Sequence, residues 1–121
     1  MIDKIATAAV YVDDQDKALD FWTKKVGFIV HREQAMGPLA RWIELGPNGA
    51  ATCLVIYPKA MMEDWQLRRP SIIFSCSNVQ FTYEQLHKRG VKFSQKPKKM
   101  AWGPFAMFLD TEDNWYGLRE H

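Results

Sequence analysis

Two stretches of the sequence carry the same order of structural signals. The first is VYVDDQDKALDFWTKKVGF at 10–28 and the second is SCSNVQFTYEQLHKRGVKF at 75–93. Each pattern predicts the end of a strand, a capped amphipathic helix, a glycine stop and a new strand. The predicted helix caps, Asp14 and Asn78, lie 64 residues apart, and the stop glycines, Gly27 and Gly90, lie 63 apart. A near-constant offset between two different markers indicates an internal duplication.

The remaining strand signals extend both copies in the same way. Short runs rich in apolar residues are separated by glycine, proline and asparagine, which is typical of β-strands joined by turns. In the first copy we expect strands at 5–12, 28–33, 39–45 and 51–57, and in the second at 71–76, 91–94, 105–110 and 115–119. Each copy is therefore predicted to be a βαβββ module, and the fold class to be α+β.

The length of 121 residues suffices for one compact domain with a core of its own. We expect a single domain over 1–121, in which module 1 covers about 1–57, a linker covers 58–70 and module 2 covers 71–121. The lysine-rich run at 96–99 contains Pro97 and is expected to form a solvated basic turn.

Alternation within four of these strands sorts their side chains onto two faces. One face is apolar and should pack under the helices; it comprises Val10, Val12, Leu54, Ile56, Ile72, Phe74, Tyr116 and Leu118. The opposite face mixes aromatic, small and polar side chains and comprises Thr7, Tyr11, Cys53, Val55, Tyr57, Ser71, Ser75, Trp115 and Arg119. A mixture of this kind is typical of a ligand pocket.

Composition excludes several classes of function. The net charge of +2 is too small to indicate a nucleic-acid partner, and no apolar run approaches the length of a membrane span. The beginning of the sequence does not have the pattern of a signal peptide, so we expect a cytoplasmic protein. Cys53 and Cys76 are then expected to be free thiols, since a reducing compartment disfavours disulfides.

Two motifs resemble the vicinal oxygen chelate superfamily, which includes glyoxalases, bleomycin resistance proteins and extradiol dioxygenases. The segment VDDQDKALDFWTKKVGF resembles the opening V-x-D-x-x-x-A-x-x-F-[YW]-x-x-x-L-G-F of that family. The segment LDTEDNWYGL resembles its closing x-D-P-x-G-N-x-x-x-L, with Thr111 in place of the proline and Asp113 in place of the glycine. The resemblance implies a curved mixed sheet around a cleft, one helix per module on the outer face, and a homodimer.

The same resemblance locates the positions at which metal-dependent members carry their ligands. Carried onto this sequence they are Thr7, Val55, Ser71 and Gly117, with Tyr57 as an alternative to Val55. Zinc, nickel, iron and manganese sites are built mainly from imidazole and carboxylate, and neither valine nor glycine offers a side-chain ligand. We therefore predict no metal or other cofactor, although a divalent metal held by other residues stays open.

Glu44 is the most suggestive carboxylate and follows Trp42 on one strand face. It could act as a general base in the cleft, or it could pair with a nearby arginine or lysine. Among the histidines, His31 is the only functional candidate. His87 suits a solvated helix end, and His121, as the last residue, is expected to be mobile.

Aromatic residues give a further signal on or near the predicted cleft. Trp102 and Phe105 join Tyr11, Tyr57 and Trp115, and Arg119 adds a cation. Flat rings with one positive charge suit a planar, neutral or anionic organic ligand. The alternative is that these rings fill the core or a dimer interface.

These observations leave three hypotheses. The first is a binding protein for a small planar ligand that lacks the family metal centre. The second is a lyase, isomerase or dioxygenase that uses an atypical metal set from His31 and Glu44, or Glu44 alone as a base. The third is an interaction module whose aromatic residues contact another protein.

Overall fold

The computed structural model describes residues 1–120, so the expectation for His121 falls outside the described residues. The chain divides into two compact units, Met1–Arg69 and Pro70–His121. Each unit contains one helix and one mixed sheet, and each begins with a strand followed by that helix. This arrangement is the α+β class expected from the duplicated pattern.

The first unit has the predicted order of one strand, one helix and three strands. Its elements are β1 (Thr7–Val12), α1 (Gln15–Asp20), a π-helical turn (Phe21–Lys25), β2 (Ile29–Ala35), β3 (Arg41–Gly46) and β4 (Cys53–Pro58). The sheet order is β1-β4-β3-β2; β1 and β4 are parallel, and the other pairs are antiparallel. The 59–67 segment, within the predicted linker, contains two short 3₁₀ turns, Lys59–Met61 and Trp65–Leu67.

The second unit contains β5 (Ile73–Cys76), α2 (Val79–Lys88), β6 (Lys92–Phe93), β7 (Lys98–Met100), β8 (Gly103–Leu109) and β9 (Trp115–Glu120). The sheet order is β5-β9-β8-β6, and β7 also pairs with β8. β7 was not expected, since 96–99 was predicted as a turn. Its residues instead pair with Gly103–Phe105 in an antiparallel ladder, which satisfies the backbone polar groups that face β8.

Both predicted helix boundaries are confirmed. The Asp14 carboxylate accepts a hydrogen bond from the Lys17 N–H at 3.0 Å, and the Asn78 side chain accepts one from the Phe81 N–H at 2.9 Å. Gly27 and Gly90 both have positive φ, 93° and 89°, which glycine adopts at little cost. The neighbouring Asp13 contacts Lys59, with the Lys59 Nζ 3.2 Å from its carboxylate.

The face predicted to be apolar is buried in the first unit and partly buried in the second, where Tyr116 and Leu118 are buried and Ile72 and Phe74 are half-buried. Val10, Val12, Leu54 and Ile56 are buried in the first unit, where α1 contacts β4. In the second unit Val79 of α2 packs with Ala106 and Leu118 in one buried cluster, which Phe74 completes. No helix within residues 1–120 is long and apolar enough to span a membrane.

Candidate functional site

The sheet face of the first unit opposite to Val10, Val12, Leu54 and Ile56, called here the unit-1 face, carries one row of side chains across all four strands. Ala9 lies beside Val55, Val55 beside Glu44, and Glu44 beside Arg32. A bulge between Val30 and Arg32 shifts the register of β2 and brings Arg32 opposite Glu44. Val55 is fully buried, whereas Ala9 is exposed and Glu44 half-buried.

A second row on the unit-1 face is aromatic. Tyr11 is the register partner of Tyr57, and their ring centroids are 5.8 Å apart in an edge-to-face arrangement. Tyr57 also meets Trp42 edge to face at 6.1 Å, and Trp42 is in register with Gln34. Each ring is half-buried, so part of its surface is held by its neighbours and part is accessible.

The Glu44 carboxylate links the two rows. Its Oε2 accepts a hydrogen bond from the indole N–H of Trp42 at 2.7 Å. The Arg32 guanidinium lies 3.8 Å from the same oxygen, and its own short hydrogen bond of 2.8 Å goes to the Gln34 side chain. The predicted pairing of Glu44 with an arginine is therefore present, but the closer partner is an indole.

The corresponding face of the second unit, called here the unit-2 face, is mostly apolar. It comprises Ile73, Ser75, Phe105, Met107, Leu109, Trp115, Gly117 and Arg119. Ile73 and Trp115 are 58% and 43% exposed. Trp102, in the turn between β7 and β8, is 57% exposed and meets Phe105 edge to face at 6.1 Å. Arg119 lies between Ser75 and Phe105 in the sheet and is exposed.

Gly117 has no side chain, and the space beside it is filled by the side chains of two other residues. A Cβ built on Gly117 would lie 3.0 Å from the Phe105 ring and 3.0 Å from Cγ1 of Ile73. Such distances are well below normal van der Waals contact, so the ring and the isoleucine cover the backbone at this position. No side chain can project from this position unless Phe105 moves.

The four positions implied for a metal do not fit one. Val55 and Gly117 have no ligating group, Gly117 is covered by the Phe105 ring, and Ser71 precedes β5 and is not part of that strand. Over residues 1–120 no group of three or more His, Cys, Asp or Glu side chains is arranged to hold a metal ion. The donor chemistry of this chain therefore disagrees with the metal centre known from the family.

The other candidates lie outside the two faces or are engaged in local structure. His31 Nε2 lies 2.8 Å from the Pro47 carbonyl oxygen, which ties β2 to the turn before β4. The His87 ring stacks on Tyr83 along α2. Cys53 is buried and Cys76 half-buried, and both are free thiols, as expected.

Some residues of the two faces were missed by the sequence interpretation. Ala9 and Ile73 follow directly from the period-2 alternation that selected Thr7, Tyr11, Ser71 and Ser75. Arg32, Gln34 and Met107 could not be placed in the same way, because their orientation depends on strand register and, for β2, on the bulge.

Comparisons with known proteins agree with this architecture. The family model described as Glyoxalase/Bleomycin resistance protein/Dioxygenase superfamily matches residues 4–117. The protein YetH of Bacillus subtilis is 48% identical over 99% of this chain and 100% of its own length.

Two solved structures are similar over nearly the whole chain. A member of the same superfamily from Sphaerobacter thermophilus has a TM-score of 0.88 and 30% identity, covering 99% of this chain and 98% of that one. TnmS3, an antibiotic binding protein from Streptomyces sp. CB03234, has a TM-score of 0.83 and 32% identity, covering 98% and 96%. The predicted fold class is confirmed by these matches.

Proposed function

This chain belongs to the Glyoxalase/Bleomycin resistance protein/Dioxygenase superfamily, and from that premise we propose that it binds a small planar organic molecule without a metal centre. The ligand contacts the aromatic side chains of the sheet faces. The predicted ligand-binding residues stay part of this proposal: Thr7, Tyr11, Trp42, Val55, Tyr57, Ser71, Ser75, Trp102, Phe105, Trp115, Gly117 and Arg119.

The observation that carries the proposal is the composition of the unit-2 face. Trp115, Trp102 and Ile73 expose about half of their surface, and Arg119 lies on the same face. Exposed large apolar side chains that are grouped together mark a binding surface, whereas the same residues scattered singly would not. Indole rings and a guanidinium on one face suit a flat ligand that is neutral or negatively charged.

A similar protein supports this choice. TnmS3 is an antibiotic binding protein, and this chain is 32% identical to it over nearly its whole length. Bleomycin resistance proteins also give the superfamily part of its name. A binding role needs an accessible, shaped surface and no reacting group, which agrees with the lack of ligating side chains at Val55 and Gly117.

An enzymatic role with Glu44 as a general base is the weaker alternative. The closest partner of its carboxylate is the Trp42 indole N–H, which does not titrate and cannot pass on a proton. Glu44 is better suited to recognise a ligand than to move a proton.

We also propose a homodimer in the cytoplasm. The dimer follows from the family resemblance, and the two free thiols agree with a reducing compartment. If the chain forms a homodimer, sedimentation equilibrium of the purified chain would show twice the monomer mass of 14.1 kDa.

The binding proposal is tested by isothermal titration calorimetry with anthraquinone-2-sulfonate, a planar anion. We expect saturable binding that Trp115→Ala weakens by about tenfold, since one lost stacking contact is worth about 1–1.5 kcal/mol. The matched control is Phe81→Ala, because Phe81 is 60% exposed on α2 and outside both faces. Equal affinity of the two variants, or no binding by the wild type, would overturn the proposal.

A further inference from the structure

Resting on the proposed function, we propose that Glu44 selects the ligand by accepting a hydrogen bond from a neutral donor on it, so that the ligand is a hydroxylated planar aromatic compound. Glu44 then acts in recognition, and Trp42 is a positioning residue that fixes the orientation of the carboxylate. The two rows of the unit-1 face provide the argument.

The first step is the open acceptor on Glu44. Oε2 is held by the Trp42 indole N–H at 2.7 Å and lies 3.8 Å from Arg32, whereas Oε1 accepts no hydrogen bond from residues 1–120. The side chain is 19% exposed, so the carboxylate is partly removed from water. A hydrogen bond to a charged acceptor strengthens when water is partly excluded, which makes Oε1 a strong acceptor for a ligand.

The second step concerns the charge of the ligand group. An anionic group would be repelled by the carboxylate, and a cationic one by the Arg32 guanidinium beside it. The ion pair therefore favours a neutral donor such as a phenolic hydroxyl over either charged group. Arg32 is 61% exposed and also donates a hydrogen bond of 2.8 Å to the Gln34 side chain.

The third step concerns the aromatic side chains near Glu44, which can contact the flat ring of the ligand. Trp42 lies two residues from Glu44 on the same face of β3, and its ring meets Tyr57, which in turn meets Tyr11. All three rings are half-buried, and Tyr57 meets each of the other two edge to face, so the rings are held in place and partly accessible. On the other side of Val55, the exposed Ala9 has too small a side chain to block the approach to this row.

The test compares 2-naphthol with 2-methoxynaphthalene, which differ in whether the oxygen can donate a hydrogen bond. By isothermal titration calorimetry the wild type should bind 2-naphthol about tenfold more tightly, as expected for a charge-assisted hydrogen bond. Glu44→Gln should lower this preference to about twofold or less and leave 2-methoxynaphthalene nearly unchanged. A purely structural role of Glu44 would alter both affinities together.

Glu33→Gln is the matched control, because it removes one carboxylate from β2 that pairs with Arg41 and lies off the unit-1 face. It should keep the tenfold preference. If the wild type binds both naphthalenes equally, the Glu44 inference is wrong and the proposed function stands. If the wild type binds neither compound nor anthraquinone-2-sulfonate, the proposed function fails as well. The wild-type comparison decides the inference even if Glu44→Gln does not fold.

Discussion

The two units build the same kind of sheet but place different chemistry on its accessible face. In the first unit a carboxylate, an indole and two tyrosines form a row in which each member contacts the next. In the second unit the equivalent face carries Trp115 and Ile73, both about half exposed, and no carboxylate. The unit-1 face is thus the more polar of the two and its side chains contact one another, whereas the unit-2 face is mostly apolar and exposes large side chains.

The comparison of the two units shows which part of the duplicated pattern the backbone requires. It also shows which part can differ between the units. The caps Asp14 and Asn78 and the stops Gly27 and Gly90 serve the same purpose in both units, because helix ends leave unpaired backbone groups in every helix. Side chains on the accessible face have no such constraint. The two copies can therefore carry different side chains on this face while they keep one architecture.

We expect the largest effect on stability in the last hairpin of the second unit, and the last hairpin of the first unit serves as the comparison. In the second unit Asp110 is 7% exposed and accepts four hydrogen bonds: from the Glu112 and Asn114 backbone N–H groups, the Asn114 side chain and the Tyr116 hydroxyl. Asp110→Ala would remove the carboxylate that accepts these four hydrogen bonds, two of them from the buried Asn114 and one from the buried Tyr116. We expect it to lower the free energy of unfolding by about 3 kcal/mol in urea titrations.

The matched change in the first unit is Asn48→Ala, in the exposed turn between β3 and β4. It should change the free energy of unfolding by about 0.5 kcal/mol or less, as surface substitutions usually do. Similar losses in the two variants would contradict the idea that the hairpins are held together differently.

Most of the fold could be predicted from the sequence, because its signals are local. Helix caps, glycine stops and the alternation of Val10, Val12, Leu54 and Ile56 each act within a few residues of the chain. The exceptions were β7 and the π-helical turn at Phe21–Lys25, where the Val26 N–H bonds to the Phe21 carbonyl. The pairing of β7 with β8 is a tertiary contact that a basic, proline-containing run does not indicate.

The candidate site was predictable only in part, because its geometry depends on register. The aromatic members of both faces followed from alternation, whereas the approach of Arg32 to Glu44 depends on a bulge that no single residue marks. The Trp42–Glu44 hydrogen bond joins residues i and i+2 on one strand face, so the spacing allowed it without requiring it. The cover that Phe105 provides over Gly117 was not expected from the sequence at all.

Val55 and Gly117 occupy equivalent positions in the two units, but the space at each position is filled differently. Val55 is fully buried and fills its own space, whereas the space at Gly117 is filled by Phe105 and Ile73. Gly117→Ala adds a Cβ at 3.0 Å from the Phe105 ring, which must shift. We expect a loss of about 2 kcal/mol in the free energy of unfolding, measured by urea denaturation, as for other overpacked sites.

Phe105→Leu in the Gly117→Ala background tests the cause of that loss. A smaller side chain at 105 relieves the clash, so the double variant should be at least 1 kcal/mol more stable than additivity of the single changes predicts. Additive losses would show that Phe105 is not what limits the space at Gly117.

The smallest expected effect on stability concerns the contact between the first turn of α1 and the sheet of the first unit. Arg41 contacts Asp16 of α1 and donates a hydrogen bond to Glu33 at 3.0 Å; the bond to Glu33 is the main cause that raises the pKa of Arg41 above its usual value. In the second unit the backbone N–H of Val79 in α2 donates instead to the Glu120 carboxylate at 2.9 Å. Since Arg41 is one-third exposed, Arg41→Met should lower the free energy of unfolding by about 0.5–1 kcal/mol.

The salt dependence of this loss of stability should show whether Arg41 acts through its ion pairs or through packing. Ion pairs near the surface are screened, so the loss caused by Arg41→Met should shrink in about 1 M NaCl, whereas a packing defect would persist. A raised arginine pKa contributes stability that is lost only when the pH exceeds that pKa, so the difference should be constant between about pH 6 and 9. Lys24→Met, which removes the exposed pair with Asp20, is the control and should change stability by less than about 0.5 kcal/mol. A loss that is independent of salt would show that the Arg41 side chain holds α1 through its carbon chain and not through its charge.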